Sequence, residues 1–597
     1  MSDPYKMVII SILAFLTLVI GVLAYKYIYP KKNISLFILL ILISLLPLVS
    51  LLRIGSYESG DLTQNVFKSM EFYNSIQQGN LIPRWAGNLN ATYGYPLFVF
   101  VYPLPFYVVF FFHFIGFSFI SSIKLLIASS FILSGVGMYF FVKEEFGKFS
   151  AFVSGIFYLF APYHLVDMHF RVSIGELASF ALLPFSFLFV HKLLIKKSSI
   201  IFILAVISLF LLFLANPAIS FICIILIAIY AIFICIQKKE RKIIDVIYLI
   251  PALLFSLGLS AFYWMPVIFE SKFTHQAIYV SQISFVKFQE LLYSSWRYGF
   301  LFQGPKGELS FLIGYVQILV IALCIYLLIK NQFTKIRKSN VMFYLILLLS
   351  LFFLLLPISS FVWDKISILK NFQFTYRLLL FVSFITAVLA GILATKINKK
   401  IILFICLLAI LQTILNWGNR RTIPQINDSV LSSQLPMSTS AGEGFQPAAP
   451  KWIDPDNPWQ KNIPNNHLEV LRGKAEITEL ERISTRHEYR VNVSYISNFK
   501  ENTLYFPNWQ VTANNKILPI NFTDPKYPGV ITFQLEPGSY KIIVEFKNTI
   551  VRNSSNTLSG VSFLILFLYL LSILIRKVNF FSKVLNKLLP SSSKSHF

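Results

Sequence analysis

The sequence predicts a polytopic α-helical membrane protein with a β-sandwich-like domain near its C-terminal end. Three observations predict it. Of 597 residues 56% are hydrophobic, 61 of them Phe, and only 13% are charged, a balance foreign to soluble folds. Apolar blocks long enough to cross a bilayer recur from residue 7 to residue 417. After Trp417 they give way to a polar Pro/Asn/Ser-rich stretch and then to short alternating runs.

A spanning helix needs about 20 mainly apolar residues. On that measure spans fall near 7–29, 34–53, 119–142, 149–166, 177–195, 199–215, 218–236, 244–269, 309–330, 341–361, 376–396, 399–417 and 558–576, thirteen in all. The first block is longer than a signal-peptide core and shows no small-residue cleavage site before Lys31, so it reads as a retained helix. The net charge of +25 sits mainly in short loops: Lys31-Lys32, Lys143 with Lys148, Lys196-Lys197, Lys238 through Lys242, Lys335 through Lys338, Lys396 with Lys399-Lys400, and Arg576-Lys577. That is the positive-inside pattern, and it excludes a nucleic-acid partner as the reason for the charge. One topology places every cluster in the cytoplasm: N-terminus outside, C-terminus inside, in the cytoplasmic membrane.

This topology requires that the apolar segment 97–115 not cross. Tyr102-Pro103-Leu104-Pro105 places two prolines within it, where each removes a backbone donor, so a bent or re-entrant segment is expected; the alternative is a fourteenth span. Cys223, Cys235, Cys324 and Cys406 lie in expected spans without CxxC pairing and read as small core hydrophobes. The spans carry almost no ionisable residues, whereas a secondary transporter places them along its path.

The resulting division is a membrane domain over 1–417, with outer loops at 54–118, 167–176, 270–308 and 362–375, then a linker over 418–487. From Glu488 to Lys547 period-two runs alternate with turn residues, Tyr489-Arg490-Val491-Asn492-Val493 and Tyr540-Lys541-Ile542-Ile543-Val544 among them, which read as antiparallel strands. An extracytoplasmic β domain over 488–556 follows, then a final transmembrane helix over 557–576 and a basic cytoplasmic tail over 577–597. Trp509, Tyr505 and Tyr527 could stack on glycan or simply fill its core.

The charges that call for explanation gather in the expected outer loops. Glu58 and Asp61 open an amphipathic helix ending near Gly79, with Gln64, Lys68, Glu71, Ser75 and Gln78 at three- and four-residue spacing, expected to lie along the interface. A carboxylate there can act as general base or metal ligand; the plain structural alternative is helix capping by Asp61. The turn after 149–166 carries His164, Asp167, His169, Arg171 and Glu176. A guanidinium fork suits phosphate oxygens, while ion pairs closing the turn account for the same residues. Trp296-Arg297-Tyr298 lies in the third loop, and Arg377 opens the span at 376–396, where snorkelling to any lipid phosphate competes with a dedicated contact.

Gly60-Asp61, Pro83-Arg84-Trp85, Gly94-Tyr95-Pro96, Ala161-Pro162-Tyr163-His164 with Arg171 and Glu176, Phe262-Tyr263-Trp264-Met265-Pro266, and Phe372-Gln373-Phe374-Thr375-Tyr376-Arg377 are similar to bacterial membrane proteins labelled 6-pyruvoyl-tetrahydropterin synthase-related and to YfhO-like glycosyltransferases. The order of elements resembles the C-type (GT-C) membrane glycosyltransferase superfamily. Clustered zinc-binding histidines as in the soluble pterin synthase are not apparent, so the label implies no pterin chemistry.

What the resemblance implies is transfer of a sugar from a polyprenyl-phosphate donor to an extracytoplasmic glycan, lipid or protein acceptor. By that analogy Asp61 is the catalytic base and Asp167 a second site carboxylate, with Glu58 the other candidate in the first loop. Arg84, His164, His169, Arg171, Glu176, Arg297 and Arg377 are the candidates for holding substrate and its phosphate. The first-loop acid is a lone Asp rather than an adjacent acidic pair, which leaves a divalent metal cofactor an open question. A lipid-linked glycan flippase or a non-catalytic membrane scaffold are the alternative readings.

Overall fold

The computed structural model describes residues 4–237, 243–275, 283–293, 309–418, 422–438, 448–453 and 462–588. Arg297 and its neighbours Trp296 and Tyr298, the basic run Lys238 through Lys242 and the end of the expected tail lie outside the described residues. Among those described, eight helices are long and apolar enough to cross a membrane, or nine if Asp245–Leu259 and Ala261–Phe273, bent by 72°, form one broken span.

The thirteen expected spans are not all recovered at full length, and the reasons are local. The pair at 119–142 and 149–166 is one helical stretch, Phe119–Leu159, interrupted at Gly147 with φ 81° and ψ 177°. The chain folds back there: a β-carbon on Gly135 would stand 2.8 Å from the side chain of Leu159, whereas in a straight helix these residues would be about 36 Å apart. Leu36–Leu52, Ser199–Ala215 and Tyr315–Ile329 are apolar but short. Pro47 opens a 3-10 turn within the first of these. Asn216, extended ahead of Pro217, ends the second as a residue before proline usually does.

The segment expected to bend does so. Leu97–Phe100 and Leu104–Phe114 are separate helices, with Val101 extended between them. The first-loop helix runs Leu62–Gln77 but does not lie with its polar face in solvent. Glu71 is buried and accepts from the Asn88 backbone N–H at 2.9 Å and from its side-chain amide at 2.8 Å. Gln78 accepts from the Ser484 N–H at 2.9 Å. The polar stripe is an internal docking surface, covered by residues 80–95 and by the β domain. That coverage is tertiary, so periodicity could not reveal it.

The β domain is one antiparallel six-stranded sheet made of Leu468–Ile483, Arg486–Leu504, Trp509–Ala513, Lys516–Leu518, Val530–Leu535 and Gly538–Phe546. Its organiser is the 19-residue second strand, which pairs with the first, with Gly538–Phe546 over Arg486 to Val493, and with Val530–Leu535 over Ser497 to Leu504. The sheet begins at Leu468, inside the stretch read as linker; its Glu-rich first strand is largely exposed and shows no clean alternation, so periodicity did not mark it. The aromatic residues considered for glycan stacking are occupied. Trp509 is buried against Trp85 of the first loop, ring centroids 5.2 Å apart. Tyr505 stacks on Phe522 at 3.7 Å, and Tyr527 lies beneath Lys500 at 4.6 Å.

Candidate active site

The site is assembled from three distant parts of the chain. After the fold-back at Gly147 the second arm ends at Leu159, and the chain makes a short helix, Pro162–Val166, followed by a π-helical turn, Asp167–Arg171. Such turns are rare and often mark functional sites. Val172 then takes a left-handed conformation, φ 58°, an outlier for a β-branched residue that the surroundings must hold in place. Asn65 does part of this by donating its amide to the Val172 carbonyl at 2.9 Å.

Onto this turn docks the start of the first-loop helix. The Gly60 N–H donates to the Phe170 carbonyl at 2.7 Å, and the Asp61 N–H to the Arg171 carbonyl at 2.9 Å. The approach is close enough that a β-carbon on Gly60 would stand 3.1 Å from the Arg171 carbonyl oxygen. Asp61 occupies the N-cap position, yet its side chain makes no capping hydrogen bond; the Ser59 hydroxyl accepts from the Leu62 N–H instead. Its carboxylate is exposed and uncommitted to the helix it precedes.

Behind Asp61 lies a buried guanidinium–carboxylate cluster. The Glu176 carboxylate accepts from both terminal nitrogens of Arg171 at 2.9 Å, from the Tyr163 hydroxyl at 2.6 Å and from Arg377 Nε at 3.0 Å. It sits in the first turn of Ile174–Lys196, where the helix dipole favours a negative charge. Asp167 Oδ1 accepts from Arg171 at 2.9 Å, while Oδ2 is buried without a hydrogen-bond partner. Burial, reinforced by the charges of Glu176 and Asp61, pushes the Asp167 carboxyl well above the ordinary carboxylate range against the pull of Arg171 and Arg377. That shift toward the neutral form weakens the counter-charge Asp167 offers to Arg171 and leaves Glu176 as the main partner of both guanidiniums. Arg377 Nη1 donates to the Phe372 carbonyl at 2.9 Å. Its side chain keeps 18% of its surface exposed, against 8% for Arg171.

Asp61, Asp167, Arg171, Glu176 and Arg377 are thus brought together, though up to 316 residues separate them in sequence. Other candidates are placed elsewhere. His164 is buried, stacked on Phe180 at 3.9 Å with Nδ1 3.1 Å from the Tyr158 carbonyl. His169 is also buried, and its imidazole is held down at about 3, first by burial and then by the charge of Arg53, on the side of the turn facing the Pro47 carbonyl. Arg84 donates to the Phe262 carbonyl at 2.7 Å and to Asn556 at 3.1 Å, so it braces the helices Ala261–Glu270 and Ile550–Leu588 rather than the cluster. Glu58 is half-buried beside the two-residue ladder of Ser56–Tyr57 with Thr422–Ile423.

One residue escaped the sequence reading: Tyr102, at the bend of the apolar segment. Burial, then the charge of Asp61, push its hydroxyl up to about 12, with Arg377 and Glu176 also acting on it. Proline flagged the bend, but nothing in a chain that is 16% aromatic singles out this ring. Among the described residues no group of three or more His, Cys, Asp or Glu side chains could hold a metal ion.

The helical bundle, its bent apolar segment and the C-terminal sheet define a polytopic membrane protein. Residues 98–419, more than half of the chain, match the family described as "6-pyruvoyl-tetrahydropterin synthase related domain; membrane protein", and the chain belongs to that family. Among solved structures it is similar to the Archaeoglobus fulgidus oligosaccharyltransferase in its apo form, at 15% identity and a TM-score of 0.42 over 67% of this chain and 57% of that one. It is also similar to the mycobacterial arabinofuranosyltransferase AftD, at 14% identity and a TM-score of 0.38 over 70% of this chain and 28% of that one. The chain therefore spans little more than half the length of the first and about a quarter of the second. No curated protein matches it by sequence.

Proposed function

We propose that this protein is a membrane glycosyltransferase that moves a sugar from a polyprenyl-phosphate donor to a cell-envelope acceptor on the extracytoplasmic face. The observation that carries the reading is the placement of an exposed, uncapped carboxylate, Asp61, against the guanidinium pair Arg171 and Arg377, both bonded to Glu176. A transferase with a phosphate leaving group needs these two elements. Asp61 takes the proton of the acceptor hydroxyl as its oxygen forms a bond to the anomeric carbon. The bond from that carbon to the phosphate oxygen breaks, its electron pair stays on the phosphate, and the guanidinium charge meets it. Attack opposite the leaving group inverts the anomeric centre. Arg377 is the more open of the two guanidiniums and is assigned the phosphate; Arg171, more enclosed, fixes the Glu176 carboxylate that in turn holds Arg377.

The test is consumption of labelled polyprenyl-phosphate sugars by the purified full chain with a panel of acceptors, beside Asp61→Asn. Turnover that falls at least about a hundredfold in a normally folded Asp61→Asn, the range of a general base, supports the assignment. Unchanged turnover would remove Asp61 from the mechanism. Movement of intact lipid-linked sugar across vesicles, without cleavage, would support a flippase instead.

A further inference from the structure

A second polar site lies at the other end of the same helices. A cavity of about 720 Å³ opens between the end of the first helix, the loop leading into Leu36–Ser44 and the fold-back at Gly147; Lys26, Lys143, Lys148, Ser35, Phe37 and Tyr139 line it. Two connections place it opposite the candidate active site. Leu36–Leu52 leads from its rim to the loop of Asp61, and the arm from Lys148 to Leu159 leads to the turn of Asp167.

The chemistry of its wall is divided. No acidic side chain lines it. Of the adjacent carboxylates, Glu144 is paired with Lys192 at 2.9 Å, and Glu145 follows it on the same turn outside the lining. The Lys26 ammonium donates to the carbonyls of Pro30 and Lys32, which leaves its charge uncompensated, and Lys143 lies over the Phe140 ring at 5.6 Å. The N-terminus of Leu36–Ser44, capped by Ser35, adds the positive end of a helix dipole. Aromatic rings complete the wall, Phe37 against Tyr139 at 5.1 Å and against Phe140 at 5.4 Å. A site lined by three cations and three aromatic rings, with a volume within the usual range of ligand pockets, about 300–1,000 Å³, fits an amphiphile with an anionic head.

We propose that this cavity binds the phosphate headgroup of an anionic glycerophospholipid, with the lysines on the phosphate and the rings on the start of the acyl chains. Charge complementarity and the position at the ends of apolar helices favour a lipid over a soluble anion, since basic groups at a membrane edge attract anionic headgroups.

The experiment follows thermal unfolding of the delipidated full chain in a neutral detergent, titrated separately with phosphatidylglycerol, phosphatidylcholine and inorganic phosphate. Phosphatidylglycerol alone should raise the melting temperature. Lys26→Gln/Lys143→Gln/Lys148→Gln should weaken that response by about a hundredfold, at roughly fivefold per lysine, and the corresponding triple Arg variant should restore it. If the triple Gln variant does not fold, Lys148→Gln, at an exposed position, should still weaken the response about fivefold. An equal response to phosphatidylcholine, protection by inorganic phosphate alone, or an unchanged response in the Gln variants would each overturn the assignment. These readouts are independent of glycosyl transfer, so they stand or fall apart from the proposed activity.

Discussion

Two buried carboxylates nine residues apart, Asp167 and Glu176, illustrate how differently the fold treats the same functional group. Glu176 is satisfied by two guanidiniums and a phenol, whereas Asp167 keeps one oxygen orphaned and is pushed toward its neutral form by burial and by Glu176. Glu176→Gln should therefore leave two buried cations short of their counter-charge and cost about 3–5 kcal/mol. Asp167→Asn replaces a carboxyl already pushed toward its neutral form with a neutral amide of similar size and should cost less than Glu176→Gln. Comparing their thermal unfolding decides it, and equal losses would refute that shift of Asp167. The titration of His487 can be followed outside the membrane. Its Nδ1 is 2.9 Å from Glu501, and burial with the charge of Arg482 lowers its pKa. The unfolded chain takes up that proton near pH ~6.5, so stability falls as pH drops below that value. Burial alone would raise Glu501, but the bond from His487 and the Arg482 charge hold it at about 2; its contribution is intact above about pH 4.3 and is lost only further down. Between pH 7 and 5, His487→Gln should accordingly flatten the decline in stability by up to about 1.4 kcal/mol per pH unit. An unaltered slope would mean that this imidazole does not titrate on unfolding. Asp61, Asp167, Arg171, Glu176 and Arg377 were legible in the sequence because charge at the edge of apolar blocks demands a reason. His164 and Arg84 misled because residue type says nothing of which way a side chain turns.

Helices proved readable where composition alone decides them and misleading where one residue redirects the chain. Gly147 is such a residue. Its φ of 81° and ψ of 177° lie in a region open essentially to glycine alone, and the turn it makes converts one apolar stretch into two packed arms. Gly147→Ala should cost about 1–3 kcal/mol, seen as a lower melting temperature. A β-carbon would meet nothing within 4 Å there, so the loss would be conformational rather than steric. An unchanged melting temperature would show that the turn tolerates a side chain. The same contrast explains the strands. Arg486–Leu504 alternates buried and exposed residues over Tyr489, Val491 and Val493 and was visible as β-structure. Leu468–Ile483 is exposed on much of both faces and was not, because pairing with its long neighbour, rather than burial of an apolar face, makes it a strand.

The helix that follows the sheet, Ile550–Leu588, meets the helix Ala261–Glu270 through a buried ion pair, and that joint ties the architecture to the site. Arg552, fully buried, donates to Glu270 at 3.0 Å through Nε and approaches it at 2.9 Å through Nη2. The Thr549 hydroxyl donates to the other carboxylate oxygen at 2.6 Å. Beside it Arg84 reaches across to Asn556, and Trp85 packs edge-on against Trp509. The first loop is thus held from two sides: at its start by the turn carrying Arg171, and at its end by the β domain, through Gln78 and Asn80, and by the helix Ile550–Leu588, through Arg84. Glu270→Gln removes the counter-charge of a guanidinium that has no solvent to turn to, at a cost of about 3–5 kcal/mol. Since the loop spans joint and site alike, loosening the one should disturb the other. The variant is expected to release the sheet to limited proteolysis near residues 547–550 and to lower turnover as Asp61 loses its fixed position, with no group removed from the site itself. A variant cleaved like the wild type and equally active would mean that the bundle alone holds the loop, and that the β domain is carried by the protein without bracing its chemistry.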